Sequence, residues 1–465
     1  MYVHLRAAIA RQQATMGRVL AVAMLVAPPS FRITALRSRL CANHSSSMRR
    51  MFILCIGLAL LGAAGRSADA EGLALRQVIA TALSGNKDLQ AARFVAAQAR
   101  ARLVQAGLLP NPRLELANKN DALFANEGEY TTSIGFSQQF PVAGRIARQK
   151  DVARIDVDLA FAEIKEAEWK LAGEIANSFY AAMALNRQIE ARNRLIEVDQ
   201  KLLDAARRRF SAAEVSELDV NTAQLDLQRV SQERALLLGE RTAQLEHLNQ
   251  QLGRKAAQPL VLEDTMPSTE TLPNLAELQR RALEQRPDLR SAVLKAERAR
   301  ADTKVARAEQ WEDWTLSLGV ERNRLSITGA PPQPSTSALS LGLSVPLPLL
   351  DQKQGRIAET IASGAQANAQ IAALRLSIGN EVAGAVAEIK RLQLVMLEYQ
   401  RTMLPTSERN VGFAQQGYAR GQVAIADVVQ AARQQSELNI AYLNTLNLYL
   451  QALAKLRTAT AEYVK

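Results

Sequence analysis

The chain has 465 residues, 48% of them hydrophobic, and its 57 basic and 46 acidic residues give a net charge of +11. Residues 1–70 hold nine arginines and one aspartate, so the rest carries only +3 and gives no argument for nucleic acid as a partner, which needs clustered Lys and Arg. Both cysteines, Cys41 and Cys55, also lie in 1–70, which excludes disulfides and thiolate metal ligands from the remaining chain.

The first predicted element is a secretory signal peptide over residues 48–70. Met48 is followed by two arginines, residues 51–64 are apolar, and Ala-Asp-Ala at 68–70 is a small-x-small cleavage sequence. Residues 1–47 are interpreted as upstream sequence read in frame before the true start, with a poorer signal-like run there as the alternative. We expect an exported protein, and no later stretch approaches the roughly 20 consecutive apolar residues of a membrane-spanning helix.

An internal repeat organises the rest of the chain. The first copy spans 71–253 and the second 275–465, with a Pro- and Thr-rich linker at 254–274. The sequence Gly-Arg-Ile-Ala at 144–147 recurs letter for letter at 355–358. Each copy predicts a long helix, two short strands, a very long helix, a turn and a long helix. A repeat of this length indicates two similar structural halves.

The helical segments have the spacing of coiled coils. Tyr442, Leu446 and Tyr449 follow one another at steps of four and three residues. No proline interrupts residues 144–209 or 349–404. A helix of about 65 residues would be roughly 100 Å long, far longer than an ordinary domain is wide. The helices alone are explained by a coiled-coil rod or scaffold as well as by any other architecture.

Four short segments alternate between apolar and small or polar residues. Leu316, Leu318 and Val320, for example, alternate with Ser317 and Gly319. The predicted strands are about 112–118, 131–140, 314–321 and 338–346. This pattern is typical of transmembrane β-barrel strands with lipid on one side and water on the other. Because open sheet edges cannot face lipid, a barrel requires several chains, and three would give twelve strands.

A soluble sheet with one buried face is the alternative explanation of the strands. Export, the very long helices and the polar hairpin loops at 118–129 and 322–337 favour the barrel. Phe140, Trp311 and Trp314 fall where strands meet helices, the position of an aromatic girdle at a membrane interface. Ordinary packing in a hydrophobic core would explain these three aromatic residues equally well.

Taken together, these features resemble the TolC-type outer-membrane efflux family. Leu-Pro-Asn-Pro at 109–112, Ser-Gln-Gln-Phe-Pro at 137–141 and two helix-hairpin tips add to the repeat. The resemblance covers about residues 72–463 and is greatest to the CzcC/CusC-like heavy-metal branch, although residues 142–145 lack the acidic, double-glycine form common there.

The resemblance implies a mainly α fold with a small β part. It implies a homotrimer whose twelve-stranded barrel in the outer-membrane lipid continues into an α-helical barrel across the periplasm. The 254–274 segment would join an equatorial collar. Such a trimer would dock onto a periplasmic adaptor protein and an inner-membrane pump of the RND type. Its function would be a passive exit duct for metal cations or other toxic small molecules.

By the same resemblance, function concentrates at the two turns between long helices. The expected adaptor-docking residues are Ala213, Glu214 and Val215 in the first copy and Gly421, Gln422 and Val423 in the second. Asp219 and Asp427 lie one turn beyond, where family members carry pore-lining acids. In a trimer each would form a ring of carboxylates that attracts cations. Gln430 stands where some members carry a second acid.

Helix capping is the alternative role for both acids. Ser216 and Asp219 have the spacing of a capping box. Asp427 is expected to lack such a cap because Ala424 stands in the position of Ser216, although the helix dipole favours an acid there.

Groups for catalysis or metal binding are scarce. Beyond residue 70 the only histidine is His247, the four methionines form no close pair, and no Gly-rich phosphate loop is present. We therefore expect no enzymatic activity, no cofactor and no metal site. The competing function class is a soluble periplasmic coiled-coil scaffold or adaptor without a pore.

Overall fold

The computed structural model describes residues 72–121, 128–264, 272–326, 329–331 and 333–464. The predicted upstream segment and the predicted signal peptide lie outside these residues, as do parts of both hairpin loops and of the linker. Among the described helices, none combines the length and the apolar character needed to cross a membrane.

Long helices and one small sheet make up the described structure, as the sequence predicts for a mainly α fold. The first half contains α1 (Leu75–Gly85), α2 (Lys87–Ala106), β1 (Arg113–Asn120), β2 (Tyr130–Phe140), α3 (Arg145–Ser211) and α4 (Glu217–Gln251). The second half contains α5 (Leu275–Gln285), α6 (Pro287–Ala308), β3 (Trp314–Arg324), β4 (Thr336–Ser344), α7 (Gln354–Glu398), a π-helical turn (Tyr399–Met403), α8 (Leu404–Ala419), α9 (Ile425–Ala459) and a 3-10 turn (Glu462–Val464).

The single long helix expected at the start of each half is two helices, so that prediction is wrong. Asn86 ends α1 and caps α2: its side chain accepts from the Leu89 amide at 2.9 Å and donates to the Gln251 carbonyl at 2.9 Å. In the second half the break falls at Arg286, before Pro287. Proline has no amide to donate and suits the first position of a new helix.

The very long helix of the first half is unbroken for 67 residues, as its lack of proline predicts. Its counterpart in the second half differs. After 45 residues α7 passes through the π-helical turn into α8, which has Pro405 in its first turn. A π turn shifts the hydrogen-bonding pattern by one residue, so the helical path continues past a residue that cannot donate.

The four strands form one antiparallel sheet in the order β1-β2-β3-β4. In both hairpins the strands pair in a continuous register, with Leu116 opposite Ile134 and Val320 opposite Leu339. The two central strands pair across the repeat, placing Ile134 opposite Val320. Since neighbouring strands run in opposite directions, both hairpin loops lie at one end of the sheet and all four helix connections at the other.

The main hydrophobic core lies where α1, α3, α4, α5, α7 and α9 pack together. Close approach of the backbone at the end of α4 requires glycine. Gly253 has a φ of +69°, and a Cβ there would collide with the Gly85 carbonyl group. A Cβ on Gly85 would lie 2.5 Å from the Leu252 carbonyl oxygen. Both positions therefore exclude larger residues.

The segment between the halves, which by composition is a linker, packs against the body. Leu260 and Leu262 are buried in the main core. Leu73 forms an isolated parallel bridge with Leu262, and its amide donates to the Val261 carbonyl at 2.9 Å. The guanidinium of Arg187 on α3 pairs with Asp264 at 2.6 Å. This segment is therefore part of the packed body as well as the connection between the two halves.

Candidate functional site

One face of the sheet is apolar and exposed. Cross-strand pairing aligns two rows of side chains over all four strands. The rows are Leu114, Phe136, Leu318 and Leu341, and Leu116, Ile134, Val320 and Leu339. These eight side chains are between 50% and 75% exposed. An apolar patch of this kind on a soluble protein usually marks a surface that is covered by a partner or a membrane.

The opposite face carries small and polar side chains in the same register. Gly135 lies between Glu115 and Gly319, and Ser137 faces Ser317. On β2 these residues are partly covered, while the alternating Ile134 and Phe136 are exposed. A soluble sheet with one buried face has the reverse arrangement. A soluble sheet whose apolar face is buried within the same chain therefore does not fit this distribution.

Both outer strands leave an edge open. In the sheet as described, β1 pairs only with β2 and β4 only with β3. Each free edge presents backbone amides and carbonyls that need partners if the edge lies in hydrocarbon.

Aromatic side chains gather where the sheet joins the helices. Phe140 at the end of β2 lies opposite Trp314 at the start of β3, and both are exposed. Trp311, also exposed, precedes β3. Below them, the guanidinium of Arg145 at the start of α3 pairs with Asp313 at 2.5 Å. The junction thus has an apolar rim next to a charged pair.

The two turns between long helices, at 212–216 and 420–424, come together. We refer to them as the tips. A shared apolar cluster, the tip cluster, joins α3, α4, α8 and α9 directly behind them. Its buried members are Leu203, Ala206, Ala223, Tyr418, Ile425, Val428 and Val429. Residues that are about two hundred positions apart in sequence therefore form one local structure.

Arg209 ties one tip to the other, a contact that the sequence did not indicate. Its guanidinium donates to the Tyr418 carbonyl at 3.1 Å and stacks 4.6 Å from the centre of the Tyr418 ring. It also donates to Glu214 at 3.0 Å. The hydrogen bond to Glu214 raises the pKa of Arg209 above its ordinary value. Arginine is common on helices, so only the fold reveals this role.

The docking residues expected from the sequence lie on the surface of the tips. Ala213, Glu214, Gly421 and Gln422 are exposed, while Val215 and Val423 are partly covered. Ala213 and Gly421 occupy equivalent places with positive φ values of 61° and 72°. The repeat thus produces the same tight turn twice, and only one of the two uses glycine.

Both candidate pore acids cap helices. Asp219 accepts hydrogen bonds from the Ser216 amide at 3.0 Å and from its hydroxyl at 2.9 Å. Asp427 accepts from the Ala424 amide at 3.0 Å, so the expectation that it lacks a cap is wrong. The donor is the backbone amide of the capping residue, which alanine supplies as well as serine does. Asp427 and Gln430 are exposed, and Asp219 is partly covered.

Within the described residues no group of three or more His, Cys, Asp and Glu side chains is placed to hold a metal ion. His247 lies exposed on α4.

The sequence pattern of the family described as outer membrane efflux protein matches residues 78–254 and 278–462, which together are most of the chain. The chain belongs to the outer membrane efflux protein family. Its function is therefore efflux at the outer membrane. The family pattern matches once in each half, and residues 255–277 lie between the two matches.

Individual relatives agree with this membership. The cobalt-zinc-cadmium resistance protein CzcC of Cupriavidus metallidurans is 23% identical over 385 residues, covering 82% of this chain and 88% of that protein. The structure of CusC superimposes with a TM-score of 0.68 at 18% identity, covering 83% of this chain and 91% of the other. The structure of VceC from Vibrio cholerae superimposes with a TM-score of 0.65 at 19% identity, covering 83% of this chain and 96% of the other. The chain shares the fold of CusC and VceC.

Proposed function

We propose that three copies of the chain form a passive exit duct, the outer-membrane part of a tripartite efflux pump. The four-stranded sheets of three copies make a twelve-stranded barrel in the lipid, and the long helices continue it as an α-helical barrel into the periplasm. An adaptor protein and an inner-membrane pump of the RND type complete the assembly.

The exposed apolar face of the sheet carries this proposal. Its two rows cross all four strands without a break, while both outer edges are open. Hydrocarbon tolerates the apolar rows but not the unpaired backbone of an open edge. Pairing β1 of one copy with β4 of the next would satisfy both edges, and the polar face would then line a water-filled lumen.

We propose toxic metal cations as the substrate class, with other small toxic molecules as the alternative. The name of the CzcC relative supports this assignment, since it describes resistance to cobalt, zinc and cadmium. Deleting the gene should then lower the tolerated concentration of zinc or cadmium, relative to the parent strain, by a larger factor than that of a hydrophobic drug. The opposite order would remove the metal assignment.

The tips are the proposed docking site for the adaptor. Their exposed residues project from a surface that the tip cluster and Arg209 hold together, so an adaptor binds both tips at once. In a trimer, Asp427 and Asp219 form carboxylate rings at the narrow end of the pore, with Gln430 one turn further along α9.

Asp427→Asn should lower the cation selectivity of the open duct. Asparagine keeps an oxygen that accepts from the Ala424 amide, so the cap survives while the charge is lost. The measurement is the reversal potential of purified protein in planar bilayers under a salt gradient. Glu408→Gln, which neutralises an exposed acid on α8, is the control and should have no effect. Unchanged selectivity in Asp427→Asn would remove Asp427 from the pore lining.

Channel formation itself is tested by the wild-type protein. We expect it in the outer-membrane fraction and, once purified in detergent, to give stepwise conductance in planar bilayers. A soluble periplasmic pool with no conductance would support the scaffold or adaptor instead.

A further inference from the structure

A buried group of charges lies just behind the tip cluster, between α3, α4 and α9. Asp199 on α3 is 2% exposed, and neither of its carboxyl oxygens has a hydrogen-bond partner among the described residues. Asp226 on α4 is 4% exposed and accepts from Arg229 at 2.9 Å and from Arg433 of α9 at 2.7 Å. Asp226 therefore has its counter-charges, and Asp199 has none bound to it directly.

The surrounding charges come from all three helices. Beside the effect of burial, the pKa of Asp199 is raised by the charge of Asp226 on α4 and lowered by the charges of Arg229 on α4 and Arg433 on α9. Further along the seam, the line along which α3, α4 and α9 pack together, Arg192 of α3 pairs with Glu233 of α4 at 2.8 Å. Glu437 of α9 adds a second negative charge near Arg192. Burial, and secondarily the neighbouring Asp226 carboxylate, raise the pKa of Asp199 to about 6. An ordinary aspartate stays ionised down to a pH of about 4.

The charged group connects directly to the tips. Leu203 lies one helical turn beyond Asp199, Ala223 one turn before Asp226, and Val429 one turn before Arg433. All three are buried members of the tip cluster. A change in spacing between α3, α4 and α9 at the charged group therefore alters the packing that holds the tips together.

We propose that Asp199 is a proton-binding site that sets how tightly the tips pack. When protonated, Asp199 is neutral, its O–H can donate, and its repulsion of Asp226 is removed, so the seam packs tightly. When ionised, it is a buried second anion without a hydrogen bond, and the seam loosens. The proton-binding site concerns the folded bundle alone; its effect on conductance rests on the proposed duct.

The direction of the pH effect follows from the raised pKa. The folded state binds this proton more tightly than an exposed aspartate does, so the stabilisation is present at acid pH and is lost as the pH rises through about 6. Between pH 5 and pH 7.5 we expect the protection of tip amides from hydrogen exchange, corrected for intrinsic rates, to fall about tenfold.

The proton site is tested by infrared difference titration of the full-length purified protein. A protonated-carboxyl band should titrate with a midpoint near pH 6 and disappear in Asp199→Asn. Asp226→Asn should move the midpoint down, because it removes a repelling charge, and Arg433→Gln should move it up. A purely structural residue would not give opposite shifts. Glu197→Gln, which changes an exposed acid on the same helix, should leave the midpoint unchanged.

The link to the tips is tested by hydrogen exchange of peptides covering 203–215 and 418–429. In Asp199→Asn the protection should stay high at both pH values. The proposal is overturned if no band near pH 6 depends on Asp199, or if tip protection in wild type and Asp199→Asn responds equally to pH. Absence of conductance with an intact titration would instead count against the duct alone.

Discussion

Leu341→Arg should abolish recovery of the protein from the outer membrane, whereas Ser340→Arg should leave recovery intact. Leu341 lies within β4, is 75% exposed and is the last member of an apolar row, opposite Leu318. Ser340 is the next residue along β4 and points to the polar face, where its hydroxyl donates to the Gly319 carbonyl. Arginine on the lipid side of a barrel costs about 2–4 kcal/mol near the bilayer centre, and a trimer incurs this cost in each copy.

The measurement is the amount of each variant in outer membranes purified by density gradient, with total expression determined in parallel. Because the two positions are adjacent, both variants change the same strand and add the same charge, and they differ only in the face of the sheet that carries it. Equal recovery of the two variants would mean that the apolar face does not contact lipid.

Arg286→Ala should lower the free energy of unfolding by about 2–4 kcal/mol, because it removes one partner of a buried ion-pair network. The guanidinium donates to Asp288 at 2.7 Å and to Glu381 of α7 at 2.6 Å, and it lies 4.7 Å from the centre of the Trp169 ring on α3. Its side chain is only 6% exposed. The value stays below the upper limit for such losses because Glu381 retains contact with solvent.

Thermal unfolding in detergent, followed by circular dichroism, measures this change. Arg280→Ala is the matched control, since Arg280 also pairs with two acids but has a side chain that is 57% exposed on α5. Exposed pairs of this kind contribute little to stability. The control should unfold close to the wild-type temperature, and equal shifts in both variants would contradict the role of the buried network.

The sequence predicts the elements better than it predicts the junctions between them. The strands stand out because alternation with period two is a local property, and α3 because no proline interrupts it. The break at Asn86 is not visible, since asparagine also occurs within helices. Here its side chain donates to the Gln251 carbonyl, a contact that depends on the fold. The cap at Asp427 does not follow from the sequence pattern, because alanine at position 424 has no capping side chain and the donor is its backbone amide.

For the candidate site too, the sequence predicts the local turns but not the contacts between distant residues. The tips follow from the repeat, which places equivalent turns at Ala213 and Gly421. The contact of Arg209 with Tyr418 and that of Arg433 with Asp226 do not, because each joins residues more than two hundred positions apart. A single Asp or Arg on an amphipathic helix usually lies on its solvated face. Only the packing of α3, α4 and α9 shows that Asp199 and Asp226 are buried.

In the proposed duct, neighbouring copies of the chain close the open edges of the sheet. Native mass spectrometry of the particle extracted from outer membranes in mild detergent tests this directly. We expect a mass of three copies that persists until the detergent is replaced by a denaturing one. A monomer recovered from the outer membrane under the same conditions would contradict it.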